Sequence, residues 1–150
     1  MSYTHLLYHI IFSTRNRRPL ILIENERRVY GLLFAILKKY GAETLRIGGM
    51  PDHIHLFISI PPTFAVSEFI QKLKRESSLA INRDSILPKW DGWQEGYGAF
   101  TYSRNEADKI INYIKGQKEH HKRVSFIEEI EIWMKENGMQ TKNLRNECVH

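Results

Sequence analysis

Thr44-Leu-Arg-Ile47, Gly48-Gly-Met-Pro-Asp52 and His53-Ile-His-Leu-Phe-Ile-Ser-Ile60, closed by Pro61-Pro62, read together as a β-hairpin. Thr44 to Ile47 make a short strand. Gly48-Gly49 and Pro51-Asp52 supply the turn, and His53 to Ile60 return as a second strand. Upstream, Tyr3 to Ser13 is aromatic and β-branched enough for a buried strand, and Thr14-Arg-Asn-Arg-Arg-Pro19 ends it as a basic arm. Between that strand and the hairpin, Val29, Leu32, Leu33, Ile36 and Leu37 recur at helical spacing from Glu24 to Tyr40, with Gly41 as the stop. Downstream, Val66, Phe69, Ile70, Leu73, Ala80 and Ile81 share one side of a second helix. An irregular stretch from Pro88 to Gly98 leads to a last strand, Ala99 to Tyr102. The order β-α-β-β-α-β is that of an α+β, ferredoxin-like antiparallel sheet. Two helices follow: one opened by the capping box Ser103-Arg-Asn-Glu106 and running to about Lys122, and one from Phe126 to Glu136.

A chain of 150 residues with 42% hydrophobic and 26% charged residues can bury one core, which argues against disorder or low complexity. The longest purely apolar run, Leu32 to Leu37, is too short to cross a bilayer, so no membrane association and a cytoplasmic location are expected. One cysteine, Cys148, excludes an intrachain disulfide and a Cys-based zinc site. The net charge of +5 is uneven: residues 1–123 carry +7 and residues 124–150 carry −2. The boundary expected from this split is a catalytic body over 1–123 with a helical extension and tail over 124–150, within one domain. A basic body of this size suits a polyanion, most commonly nucleic acid. Candidate phosphate contacts are Arg15, Arg17, Arg18, Lys72, Lys74, Arg75 and Lys89. Trp90, Trp93 and Tyr97 could stack on bases, but a core or rim role for at least one tryptophan is the favoured reading.

His53 and His55 lie two apart in a strand, so both imidazoles leave the same face. Two such rings can start a divalent-cation site, but they leave it incomplete. The helix after the last strand offers more: Tyr113 and Gln117, one turn apart, fall on the same flank of its apolar stripe and put a phenol beside an amide oxygen. His120 and His121 could replace or assist Gln117, and His5 and His9 read as structural residues near the site. No glycine-rich phosphate loop precedes a helix, so no nucleotide cofactor is expected.

These parts, in this order, extend to a family pattern. His9-Ile-Ile-Phe-Ser-Thr-Arg-Asn-Arg-Arg-Pro19, Gly49 to Pro61, Gln71-Lys-Leu-Lys-Arg75, Trp93-Gln-Glu-Gly-Tyr97 and Ile111-Asn-Tyr-Ile-Lys-Gly-Gln117 resemble the single-tyrosine HUH transposases of small bacterial insertion sequences, including the REP-associated tyrosine transposases. The segment Lys118 to Phe126 and the helix after it are similar to the extension of the REP-associated branch. The resemblance implies that His53, His55 and Gln117 hold Mg²⁺ or Mn²⁺ and that Tyr113 is the nucleophile. It further implies cleavage of single-stranded DNA near hairpins, with a 5′-phosphotyrosine intermediate. A homodimer is expected, with monomeric action as the alternative, and Tyr113 could serve its own histidines or those of the other subunit. The rival readings are a non-catalytic hairpin-binding module on the same fold and a small metal hydrolase that needs neither Tyr113 nor a basic surface.

Overall fold

The computed structural model describes residues 1–120 and 124–141. Strands β1 (Leu7–Ser13), β2 (Glu43–Met50), β3 (His53–Ser59) and β4 (Gly98–Tyr102) alternate with helices α1 (Ile23–Lys39) and α2 (Val66–Arg83). Helices α3 (Ala107–Lys115), α4 (Gln117–His120) and α5 (Phe126–Glu136) follow. The sheet order is β2-β3-β1-β4 and every neighbouring pair is antiparallel, which is the ferredoxin-like arrangement expected from the sequence. Because side chains alternate across a strand, register decides which residues share a face. Ile10 pairs with Leu56 and Phe12 with Ile54, and these face α1 and α2, where Val29, Leu33, Leu37, Phe69, Ile70 and Leu73 complete the larger core. Each such side chain contributes about 1.5–3 kcal/mol when fully buried.

The opposite face carries Leu7, His9 and Ile11 from β1 beside His53, His55 and Phe57 from β3. There α3 and α5 close a second core with Ile110, Ile114 and Trp133. Histidines thus occupy positions on a buried sheet face that would otherwise be apolar, and that placement creates the site.

Three local expectations change, and the tryptophans take the core role that the sequence favours for at least one of them. Strand β1 begins at Leu7 rather than Tyr3, because its ladders end where Leu7 meets Ser59 and Tyr102. Gly48 and Gly49 lie inside β2, and Pro51-Asp52 alone makes the turn. The reason is close packing: a Cβ at Gly48 would stand 2.7 Å from Ile114 Cγ2, so the glycine lets α3 rest directly on β2. The long third helix is broken at Gly116, which caps α3 with φ −89° and ψ 11° before α4 begins at Gln117. Trp90 and Trp93 are core residues, 8% and 7% exposed, whose indole N–H groups donate to Ser78 and Ser77. Two anchored indoles leave neither ring free to stack on a base.

Candidate active site

β3 projects His53 and His55 into the layer between the sheet and α5, and both rings are fully buried. Each ring is fixed through its Nδ1. Asp52 Oδ1 lies 2.7 Å from His53 Nδ1, and His9 Nε2 lies 2.8 Å from His55 Nδ1. With a metal bound and those protons on Nδ1, both Nε2 lone pairs would be available at a common point, which is how outer partners prepare imidazoles for a metal. His9 suits its part as acceptor, since burial, followed by the neighbouring His55 charge, lowers its pKa well below 6.5 and keeps it neutral.

Two oxygens meet the nitrogens there. Gln117 Oε1 is 3.3 Å from His53 Nε2. Glu129 Oε1 is 2.6 Å from His55 Nε2 and 3.5 Å from His53 Nε2. The glutamine is placed by its successor: Lys118 donates to the Gly49 carbonyl at 2.8 Å and to Glu26 at 2.7 Å, tying α4 to β2 and α1. The glutamate comes from α5, whose first turn is capped by Ser125. Glu129, the residue sequence reasoning missed, was detectable only as an acid in the apolar stripe Phe126, Ile130, Trp133.

The donor set fits a hard or borderline divalent ion. Four nitrogen and oxygen atoms converge at separations near the roughly 3 Å edge expected for ligands about 2.1 Å from one ion. His53, His55 and Glu129 offer ligand atoms all within 4.8 Å of one another. Gln117 turns its buried amide nitrogen toward Tyr113 and its Oε1 toward His53.

Tyr113 stands next to this cluster in the same chain. Its ring centroid is 5.8 Å from that of His55, 5.0 Å from His120 and 4.6 Å from Trp133, whose indole meets it edge-on. The hydroxyl is shielded from solvent, and burial followed by the Glu129 carboxylate raises its pKa, so it rests as the neutral phenol. His120 Nε2 is 3.7 Å from Glu129 Oε2, which puts that ring at the rim of the site through the carboxylate. His121 and Cys148 lie outside the described residues.

His53 carries a pH signature. Burial works against its charged form, but hydrogen bonds and charge from Asp52 and Glu129 outweigh it and raise the ring to about 9. A raised folded-state pKa stabilises the fold fully below the unfolded value near 6.5 and loses that contribution as pH rises through about 9. Metal-free protein is therefore expected to lose roughly 5 °C in melting temperature between pH 6.5 and 9.5, and Asp52→Asn should flatten the profile. An equal slope in the Asn variant would assign the effect elsewhere.

The candidate phosphate contacts divide by layer. The arm bearing Arg15, Arg17 and Arg18 is bound to the hairpin turn, with the Thr14 amide on the Asp52 carbonyl at 2.9 Å, and to the 91–94 loop, with the Arg15 amide on the Gly92 carbonyl at 3.0 Å. It therefore sits at the sheet end occupied by His53. Arg18 pairs with Asp91 at 2.8 Å. Lys72 and Arg75 are exposed on α2, on the other layer of the sheet, and Lys89 is exposed in the loop after α2. Lys74 differs from the expected open contact: its ammonium donates to the Gln94 and Gly96 carbonyls at 2.6 and 2.8 Å and lies over the Phe12 ring.

The fold of this sheet and its helices is shared with transposases. A Deinococcus radiodurans protein assigned as a transposase superposes with a TM-score of 0.59 at 26% identity, covering 78% of this chain and 95% of that one. A REP-associated tyrosine transposase bound to a REP hairpin shares the fold, with a TM-score of 0.62 at 16% identity over 83% of this chain and 73% of that one. In sequence, the chain is 34% identical over 120 residues to the transposase for insertion sequence element IS200 of Salmonella typhimurium, covering 77% of this chain and 78% of the relative. It is 30% identical over 117 residues to the ISDra2 transposase TnpA of Deinococcus radiodurans, covering 75% and 84%. The profile of the family described as "Transposase IS200 like" matches residues 2–117, and the chain belongs to that family. It is a transposase, of a family whose activity depends on a metal ion. Among the described residues, no helix is long and apolar enough to cross a membrane.

Proposed function

We propose that this transposase cleaves and rejoins single-stranded DNA beside a hairpin, with Tyr113 as nucleophile and His53, His55 and Gln117 as metal ligands. The observation that supports this most is convergence within one chain: two Nε2 lone pairs and one amide oxygen meet beside a phenol. In the reaction, the Tyr113 oxygen attacks phosphorus, the bond from phosphorus to the 3′ oxygen breaks, and a 5′-phosphotyrosine remains with a free 3′ hydroxyl. The exchange conserves the phosphodiester bond energy, so the reverse attack by a 3′ hydroxyl rejoins DNA without a nucleotide cofactor. A divalent ion bound by the three ligands would hold phosphate oxygens and withdraw charge from the transition state. The chain's own contribution is orientation: Asp52 and His9 fix the histidines, and Lys118 fixes α4. Because Trp133 and α5 cover the Tyr113 hydroxyl, DNA reaches it only when α5 moves aside.

The full chain should form a denaturation-resistant adduct with a hairpin bearing single-stranded flanks when Mn²⁺ or Mg²⁺ is present. Tight hairpin binding without any adduct under either metal would instead identify a non-catalytic binding module.

Binding itself is proposed to rest on phosphate contacts from Arg15, Arg17, Arg18, Lys72, Arg75 and Lys89. Replacing Lys72 and Arg75 with Ala should reduce the slope of log affinity against log salt by about two units at most. An unchanged slope would remove α2 from the interface. Lys74→Ala is expected to act differently, by loosening the 94–96 loop.

A further inference from the structure

Glu129 lies beyond the 2–117 segment matched by the family, yet its carboxylate is fully buried and aimed at the histidine pair. A carboxylate brought from water into a protein interior costs several kcal/mol unless charge and hydrogen bonds compensate it. Around it stand His53, His55 and His120, all imidazoles, with Gln117 and Tyr113 beside them. Two histidines and one carboxylate with their lone pairs turned to one point form a recognised divalent-metal triad. Helix α5 is also built to deliver this group: Phe126 packs on His53 at 4.6 Å between ring centroids, and Trp133 packs on His9 at 4.7 Å. Glu129 lies between these two anchors on the same helix face. Its Oε1 is nearer to His55 Nε2, at 2.6 Å, than Gln117 Oε1 is to His53 Nε2, at 3.3 Å.

We propose that in the DNA-free chain Glu129 is a ligand of the divalent metal, so that the C-terminal helix is part of the metal centre. This rests on the functional reading above for the presence of a metal at His53 and His55. Ligation by Glu129 ties α5 to β3 and, through Trp133, holds it over Tyr113. The carboxylate then occupies a coordination position that a substrate phosphate oxygen would take once α5 moves.

The test is Mn²⁺ binding to the full chain without DNA, followed by the free-ion electron paramagnetic resonance signal, for the native protein, Glu129→Gln and His53→Ala. Glu129→Gln retains the side-chain shape and removes the charge, so folding is expected to survive, as melting in chelator would verify. The proposal expects Glu129→Gln to weaken Mn²⁺ by at least about 10-fold. It also expects Mn²⁺ to slow hydrogen exchange over Phe126–Glu136 in the native chain but not in the variant. If Glu129→Gln binds Mn²⁺ as tightly as the native chain while His53→Ala does not, the proposal is overturned and the histidine site stands. If neither variant changes Mn²⁺ binding, both the proposal and the metal assignment fall.

Discussion

Tyr113→Phe should abolish the covalent protein-DNA product, lowering it by at least about 10⁴-fold, while hairpin affinity stays within a factor of about two. The expectation follows from how little the substitution disturbs. The ring stays packed against Trp133, at 4.6 Å, and against His55, at 5.8 Å, and only a hydroxyl beside Glu129, Trp133 and Gln117 is lost. Removing that oxygen should cost no more than about 0.5–1.5 kcal/mol of stability, the net worth of one hydrogen bond. Removing the nucleophile leaves no atom on that helix to form the phosphoester. Denaturing electrophoresis of labelled hairpin substrate, with melting temperature and affinity as controls, checks all three quantities. A Phe variant that still forms the adduct would move the chemistry to another residue.

Gly49→Ala is expected to cost at least about 3 kcal/mol of stability and to damage metal binding in whatever protein still folds. A Cβ at this position would lie 2.2 Å from the His53 carbonyl oxygen and 3.1 Å from Ile54 Cα, at a φ of 156°. The obstacle is backbone, so no side-chain rotation relieves it, and the strand that must retreat is the one holding His53. Gly31→Ala is the matched control. It lies in α1 with nothing within 4 Å of its added Cβ, and replacing a helical glycine there should stabilise by about 0.5–1 kcal/mol. Chemical denaturation of the two variants should therefore move in opposite directions. Equal, small effects would show that the β2–β3 turn yields more readily than its packing indicates.

Periodicity made most of the fold legible because each element presents one apolar face. Val29, Leu33 and Leu37 mark α1, Phe69, Ile70 and Leu73 mark α2, and the His53-Ile54-His55 alternation fixes which residues share a sheet face. Tyr113 and Gln117 were readable from helical spacing, and the structure places both beside the histidines even though Gly116 separates their helices. Glu129 was hidden by charge counting. The extension's net charge of −2 gave it the look of a solvated acidic appendage, whereas one of its carboxylates is inside the protein. Lys74 was obscured in the same way, as one cation among several on a helix. Its carbonyl partners at 94 and 96 are some twenty residues away in an irregular loop, and no local pattern encodes them. Gly48 and Gly49 imitate a turn because flexibility and close approach require the same residue; only the positions of Ile114 beside Gly48 and of the His53 backbone beside Gly49 separate the two causes.

The basic arm is held at its root by main-chain hydrogen bonds. The Thr14 and Arg15 amides reach the Asp52 and Gly92 carbonyls, and the Thr14 hydroxyl donates to the carbonyl of Arg18 at 2.7 Å. Backbone attachment leaves the arm's path independent of the side chains at 15 and 18, whereas Asn16 and Arg17 sit at φ 54° and 53° and serve the bend itself. If the proposed phosphate contacts hold, the side chains at 15 and 18 can be varied to tune DNA affinity while Asp52 keeps its hold on His53. Thr14 has no such freedom, because its amide and hydroxyl join the arm to the turn that carries Asp52. A library aimed at tuning the grip of this arm would vary Arg15 and Arg18 and leave Thr14 in place.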